Sequence, residues 1–454
     1  MTEADVVVIG AGVVGAAIAR ELSRFELRCV LLEAGPDVGA GTSKANTALL
    51  HTGFDAKPGT IESRLVRRGH ELLSEYAPRA GIPLERTGAL LVAWSDEERG
   101  AFPEIVERAH ANGYKAIREV EVEELYRREP YLGPGAHGAL EVPDEGMVCP
   151  FTTPLSFATG AVLAGCDLRL STPVTRVERL EHGGFCLNGN LTTRFLVNAA
   201  GLHGDEIDRL VGHDGFTVTP RRGELIVFDK LARPLLHNIV LAVPTATTKG
   251  VLLAPTVFGN VLLGPTAEDV EDKDDTSSTR EGLAYLMSEG WRIMPGLLDY
   301  DVTAAYVGLR AATEHGDYQL TVHAPEGYVC VGGIRSTGLS ASMAIAEHVR
   351  SELGEAGLEL RPKDEVPSAQ MPNIGEGFPR PYLQPDRIAE NPDYGRIVCF
   401  CERVTRGEIQ DALTAPIPAL DLDGLRRRTR VLMGRCQGFF CGAQVAALLY
   451  EAGG

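Results

Sequence analysis

The chain has 454 residues, 44% of them apolar and 23% charged, with 51 glycines, which gives room for two or three domains with cores of their own. Its 44 basic residues against 62 acidic ones leave a net charge of −18, which argues against nucleic acid or an anionic membrane as the main partner and calls for locally placed arginines wherever an anion binds. No apolar run is long enough to span a bilayer, and residues 6–19 follow Glu3 and Asp5 where a secretory leader needs positive charge, so they read as buried strand and helix of a cytoplasmic protein.

Residues 5–9 predict a parallel-type strand, apolar after Asp5 because both faces are covered. Gly10-x-Gly12-x-x-Gly15 turns it into a helix over 14–23, and a second strand over 28–32 ends at Glu33. Such a βαβ unit suits a dinucleotide. Its glycines allow a tight turn, close approach to a pyrophosphate and close helix–strand packing, and the helix N-terminus offers free N–H groups. Glu33 is placed to accept from ribose hydroxyls and would repel a 2′-phosphate.

A glycine-rich loop over 35–53 leads to a helix over 61–76. Strands such as 88–94 and charged helices such as 97–112 fill the stretch to residue 150. A helix over 154–165, a strand near 171–180 and residues 195–201 return to the dinucleotide pattern. β-rich sequence follows over 217–306, with strands at 224–228, 250–254 and 260–264, before a strand over 328–333 and a helix over 341–353. Residues 361–395 hold seven prolines and read as a linker.

The interleaving predicts an α/β fold: a Rossmann-type nucleotide domain (1–80, 151–214 and 307–360) with an inserted β-rich, α+β substrate domain (81–150 and 215–306). A small helical module over 396–454 follows the linker.

Of nine cysteines, Cys29, Cys149, Cys166, Cys186 and Cys330 are scattered and read as buried core residues. The other four form Cys399-x-Cys401 and, 34 residues on, Cys436-x4-Cys441. Four thiolates suit a [2Fe-2S] cluster, two per iron. Structural zinc is the alternative, although its usual knuckle spaces the cysteines two to four residues apart on both sides. Thr405-x-x-Glu408 predicts a capping box opening the helix after the first pair, and a second helix is expected over 443–449. Arg426–Arg430, four arginines in five residues, reads as a solvated face, or as a surface that docks an acidic carrier or offsets the cluster's negative charge.

Several further motifs carry a family resemblance: Gly41-Thr42-Ser43 with Asn46, His51-x-Gly53, Asn198–Gly201, 249–256, 263–269, Gly308-Leu-Arg310 and Gly332–Gly338. With these, residues 5 to about 350 resemble the FAD-dependent oxidoreductases of the D-amino-acid-oxidase superfamily, and within it the glycerol-3-phosphate and L-2-hydroxyglutarate dehydrogenases. The tail resembles the [2Fe-2S] domain of bacterioferritin-associated ferredoxin.

The resemblance implies non-covalent FAD held by Gly10, Gly12, Gly15 and Glu33, with Thr42 and Ser43 near the phosphates or ribityl chain. Val174 would lie on the adenine, and Gly201, Gly333, Gly338 and Leu339 near the flavin. It assigns His51 as the base that takes a substrate hydroxyl proton, a role that suits imidazole. Arg310 would clamp the substrate's anionic group with its guanidinium fork, and Arg335 and Lys249 are further anion candidates.

Where glycerol-phosphate enzymes follow His-x-Gly with arginine and tyrosine, this chain has Phe54-Asp55, then Lys57-Pro58-Gly59, which is closer to the hydroxyglutarate enzymes. The implied activity is oxidation of a small anionic 2-hydroxy compound, with glycerol 3-phosphate or a related polyol phosphate first and L-2-hydroxyglutarate or another 2-hydroxy acid second. The other readings are one component of an amino-acid or opine oxidoreductase and a non-catalytic electron-transfer subunit. Electrons would leave through the cluster to an acceptor protein or partner subunit.

Overall fold

A computed structural model describes residues 2–244 and 250–453. The strand Thr2–Ile9 lies inside an eight-stranded sheet, parallel to Leu191–Asn198 on one side and Cys29–Leu32 on the other, with Val7 opposite Leu196 and Val30. Asp167–Arg169 extends the parallel order beyond Cys29–Leu32, and Tyr328–Gly332 pairs with the far end of Leu191–Asn198.

Helices Val13–Leu22, Thr152–Leu163, Ile61–Arg79 and Gly338–Glu355 pack together with this sheet around the largest apolar core. Small residues allow the close approach. A Cβ at Gly15 would overlap the Gly10 carbonyl oxygen, and one at Gly69 would overlap the carbonyl of Ser340 on the neighbouring helix.

Nine strands form the second sheet, drawn from two stretches of chain. Its long hairpin-like pair, Val218–Phe228 against Val302–Thr313, sets Arg221 opposite Arg310 and Gly223 opposite Gly308. Ile239–Ala242 lies parallel to Ala89–Ala93, the one parallel pairing in this sheet among the described residues, and there the two stretches join. Val302–Thr313 runs as one strand across residue 307. No helix among the described residues is long and apolar enough to cross a membrane.

Three expectations change. The helix expected over 97–112 is two, Asp96–Gly100 and Phe102–Ala111, because Pro103 fits only a first helical turn and restarts the helix there. The strand expected near 171–180 is paired only over Val177–Arg179. Ahead of it Ser171 adopts φ +49°, and the N–H groups of Ser171 and Thr172 donate to the carbonyls of Gly35 and Glu33.

Residues 361–395, thirdly, do not hang free. Lys363 N–H donates to the Arg24 carbonyl and Met371 N–H to that of Ala80, and buried Arg380 meets Glu408 of the terminal module at 2.7 Å. That module has its own core of Val398, Val404, Ile409, Leu425, Val431 and Val445 under helices Arg406–Thr414, Leu422–Thr429 and Gly442–Glu451. The predicted capping box is present, with Thr405 Oγ1 and the Glu408 carboxylate each accepting the other's backbone N–H.

Candidate active site

The glycine turn and the acid after the second strand meet as their spacing predicts. Glu33 Oε2 accepts the Ala11 N–H at 2.7 Å and Oε1 accepts that of Gly35 at 2.8 Å, while burial pushes its carboxyl above the usual range. The carboxylate is thereby fixed beside the turn. Gly10 needs its φ of +98°, and any side chain on it would strike the Ala199 carbonyl, so Asn198–Gly201 lies directly against the phosphate loop.

Ser43 Oγ accepts the Val13 N–H at 2.9 Å. A Cβ on Gly12 would meet only that hydroxyl, and one on Gly41 would meet nothing, so the approach to the helix N-terminus is open. These features fit a dinucleotide pyrophosphate. Val174 lies in the loop that Ser171 and Thr172 tie to Gly35 and Glu33.

Thr42 faces the other way, donating its hydroxyl to the carbonyl of Leu309, the residue before Arg310, at 2.9 Å. Tyr306 Oη donates to the Asn46 carbonyl at 2.7 Å, so the strand carrying Arg310 is stitched to the nucleotide loop at two points. The Arg310 guanidinium lies against Gly223 and Pro265 and donates twice to the Thr266 carbonyl, at 3.3 Å each. Burial, with the like charge of Arg221, holds it well below its ordinary value, to about 10. Among the described residues no carboxylate pairs with it. A cation disfavoured in this way is stabilised by an arriving anion.

Arg335 is different, because Glu62 takes its guanidinium at 2.9 Å and the Gly316 carbonyl takes it at 2.9 Å as well. Glu62 also accepts from Thr337, next to Gly338 and Leu339 at the start of the helix Gly338–Glu355. Gly333, with φ +64°, turns the chain toward that helix. Lys249 lies outside the described residues.

His51 N–H donates to Ser340 Oγ at 2.8 Å, which places the histidine at the N-terminal turn of the helix Gly338–Glu355. Its Nδ1 stands 3.3 Å from Glu145 Oε2. Glu145 is fully buried, and its other oxygen accepts the backbone and hydroxyl donors of Thr52 at 2.8 and 2.9 Å. A buried carboxylate this close to Nδ1 favours the protonated imidazole over the neutral one.

Sequence reasoning missed Glu145. It sits in a turn remote along the chain, and only the pairing of Gly146–Val148 with Leu49–Leu50 brings it to His51. Glu145→Gln should lower kcat roughly 10- to 100-fold, as loss of a group that orients a functional histidine does. It should also move the acid limb of the pH–rate profile to lower pH, since a nearby carboxylate raises a histidine pKa. An unmoved limb would make Glu145 merely structural.

The four C-terminal cysteines come together in two pairs. The Cys401 thiol neighbours that of Cys436, and the Cys399 thiol that of Cys441. Burial raises Cys401 and takes Cys441 up to about 11, whereas the N–H of Phe440 holds Cys436 low. One zinc needs sulfurs about 3.8 Å apart on all sides. Among the described residues only His213, His323 and Glu326 bring three metal-ligating atoms within 4.8 Å of one another, and Arg179 already pairs with Glu326 at 2.8 Å. Two sulfur pairs, each drawing one cysteine from each motif, fit two irons.

The arginine run is not a solvated face, because Arg427, Arg428 and Arg430 are buried against the rest of the chain. Cys29, Cys149, Cys166, Cys186 and Cys330 are buried thiols, as expected.

A Rossmann-type nucleotide domain joined to a β-rich domain, with a histidine–carboxylate pair and an uncompensated arginine about the nucleotide loop, defines a flavin-dependent oxidoreductase. The chain belongs to the FAD dependent oxidoreductase family, whose model matches residues 5–351, and residues 397–451 match the BFD-like [2Fe-2S] binding domain. It is similar to a glycerol 3-phosphate dehydrogenase of Caloramator mitchellensis, 34% identical over 98% of this chain and 93% of that one. A similar relative in Escherichia coli, one of the subunits of an anaerobic glycerol-3-phosphate dehydrogenase, is 26% identical over 98% and 88%. The structure of dithionite-reduced L-alpha-glycerophosphate oxidase from Mycoplasma pneumoniae with FAD bound superposes with a TM-score of 0.76 at 28% identity, covering 82% of this chain and 98% of that one. FAD and a [2Fe-2S] cluster are the cofactors of this enzyme.

Proposed function

We propose that the chain oxidises a small anionic 2-hydroxy compound, with glycerol 3-phosphate or a related polyol phosphate first, and passes the electrons on through the [2Fe-2S] module. The observation that carries this is Arg310, a guanidinium without a carboxylate partner among the described residues, in a chain of net charge −18 and on a strand stitched to the nucleotide loop. Its fork binds a phosphate or carboxylate. His51 takes the hydroxyl proton, and the Glu145 carboxylate 3.3 Å from its Nδ1 stabilises the imidazolium that forms. FAD, when bound, supplies the hydride acceptor. Gly10, Gly12, Gly15, Glu33, Thr42, Ser43, Val174, Gly201, Gly333, Gly338 and Leu339 would hold it.

The glycerol 3-phosphate dehydrogenase and the anaerobic dehydrogenase component named above cover nearly the whole chain, and they support both this substrate and an electron-accepting partner subunit. Phe400, Phe439 and Phe440, 74%, 84% and 76% exposed beside the cysteine pairs, fit the face such a partner would cover. We assign 1–80, 151–214 and 307–360 to FAD and 81–150 with 215–306 to substrate, and place the protein in a reducing, cytoplasmic setting on the strength of its five buried thiols, Cys29, Cys149, Cys166, Cys186 and Cys330.

The stretch after His51-x-Gly53 favours a second reading. Phe54-Asp55 followed by Lys57-Pro58-Gly59 is closer to the hydroxyglutarate enzymes, which keeps 2-hydroxy acids in view.

Anaerobic bleaching of the flavin with glycerol 3-phosphate, L-2-hydroxyglutarate and a panel of amino acids separates these readings. Bleaching by an amino acid alone would overturn both. The purified protein should carry two irons and two acid-labile sulfides per FAD. Cys436→Ser should lose the cluster and the onward transfer of electrons, while the FAD-loaded fraction is still reduced by substrate at the wild-type rate. Zinc in place of iron would contradict the electron route.

A further inference from the structure

Asp37 is a buried carboxylate four residues beyond Glu33, and its partners come from the other end of the chain. Both terminal nitrogens of Arg428 reach it at 2.7 Å, one on each oxygen, and Arg427 donates to it as well. The remaining donors of Arg428 go to the carbonyls of Ile417 and Gly424, so the fork is held in one orientation. Both arginines lie on the helix Leu422–Thr429 of the iron–sulfur module, whose Asp423 pairs with Arg427 and with Lys44. Burial alone would raise the Asp37 carboxyl, yet the guanidiniums of Arg428 and Arg427 bring it below its ordinary value.

The same segment is gripped from inside. Gly39 N–H donates to the Ala11 carbonyl at 3.0 Å, and Ser43 Oγ accepts the Val13 N–H. Residues 37–44 are therefore held between the glycine turn on one side and the module on the other. With the module lifted away, Asp37 loses both guanidiniums, and with them the anchor that fixes one end of the segment carrying Ser43.

We propose that the iron–sulfur module clamps residues 37–44, and that Asp37, Arg427 and Arg428 are positioning residues for the flavin site, so that FAD affinity depends on the module being seated. This rests on the reading that the glycine turn with Thr42 and Ser43 holds FAD. By linkage, bound FAD strengthens the seating of the module by the same factor. The chain then holds its flavin tightly only when its outlet for electrons is in place.

The test is the FAD dissociation constant of the full, iron-loaded chain, measured by flavin fluorescence. Asp37→Asn and Arg428→Met should each weaken binding roughly 5- to 150-fold, the usual span of coupling between two sites. Because they remove one shared interaction, the double variant should be no weaker than the worse single one. Gly12→Val serves as reference, since a Cβ there meets only Ser43 Oγ within 4 Å and the side chain it carries would crowd the approach to the pyrophosphate.

If Gly12→Val loses FAD while Asp37→Asn and Arg428→Met bind it as the wild type does, the clamp is wrong. If Gly12→Val also binds FAD normally, the fault lies in the placement of the flavin. Should Arg428→Met fail to accumulate, Arg428→Lys decides. It keeps the buried charge but loses the fork, and FAD affinity equal to the wild type in that variant overturns the proposal.

Discussion

His51→Ala is expected to slow substrate-driven flavin reduction by about 10²–10⁴-fold while leaving FAD bound, the usual size of a general-base contribution. The expectation follows from two contacts. Ser340 fixes the histidine backbone at the turn that opens the helix Gly338–Glu355, and the Glu145 carboxylate stands 3.3 Å from Nδ1, where it stabilises the imidazolium that forms. His51→Asn should be equally slow, because an amide can donate and accept hydrogen bonds but cannot take a proton at neutral pH. Stopped-flow reduction under anaerobic conditions measures the step directly. Reduction at the wild-type rate in either variant would remove His51 from the chemistry and leave it as a packing residue of the loop.

The parts of this site that the sequence made legible are those whose geometry is local. Gly10, Gly12, Gly15 and Glu33 belong to one βαβ unit, so their spacing alone sets a tight turn beside a carboxylate, and the Ala11-to-Glu33 hydrogen bond realises it. The four cysteines lie in two short loops around one small core, and their spacing was informative for the same reason.

What could not be read depends on pairing between distant strands and surfaces. Glu145 reaches His51 only through the strand Gly146–Val148, and Glu62 neutralises Arg335 across more than 270 residues. The arginine run had the composition of a solvated helix face. Its burial is decided by carboxylates elsewhere in the chain, Asp37 for Arg427 and Arg428 and Glu402 for Arg430, which no local pattern reports. Proline-rich residues 361–395 lacked periodicity because much of their order comes from hydrogen bonds to other segments, such as Met371 to Ala80, and their one α-helix, Pro385–Glu390, is too short to show a period.

Arg310→Met should lower kcat/KM for the anionic substrate about 10²–10³-fold, or about 3–4 kcal/mol of transition-state stabilisation, the range measured when one partner of a buried charged contact is removed. The size follows from the surroundings. The guanidinium is partly buried beside Gly223, its charge is opposed by Arg221, and its only hydrogen bonds among the described residues are to the neutral Thr266 carbonyl. Most of the unfavourable electrostatic work of placing a cation there is therefore done in the free enzyme, and the substrate anion recovers it on binding. Methionine keeps the apolar stem and removes only the charge and the fork.

Lysine should restore part of the loss, because an ammonium supplies charge without two parallel donors. Arg335→Met serves as the contrast. Its guanidinium is matched by Glu62, so removing it should disturb the turn at Thr337 and the stability of the protein more than the KM for substrate. If Arg335→Met raises KM more than Arg310→Met does, the anion is held at the flavin turn and the assignment of Arg310 fails.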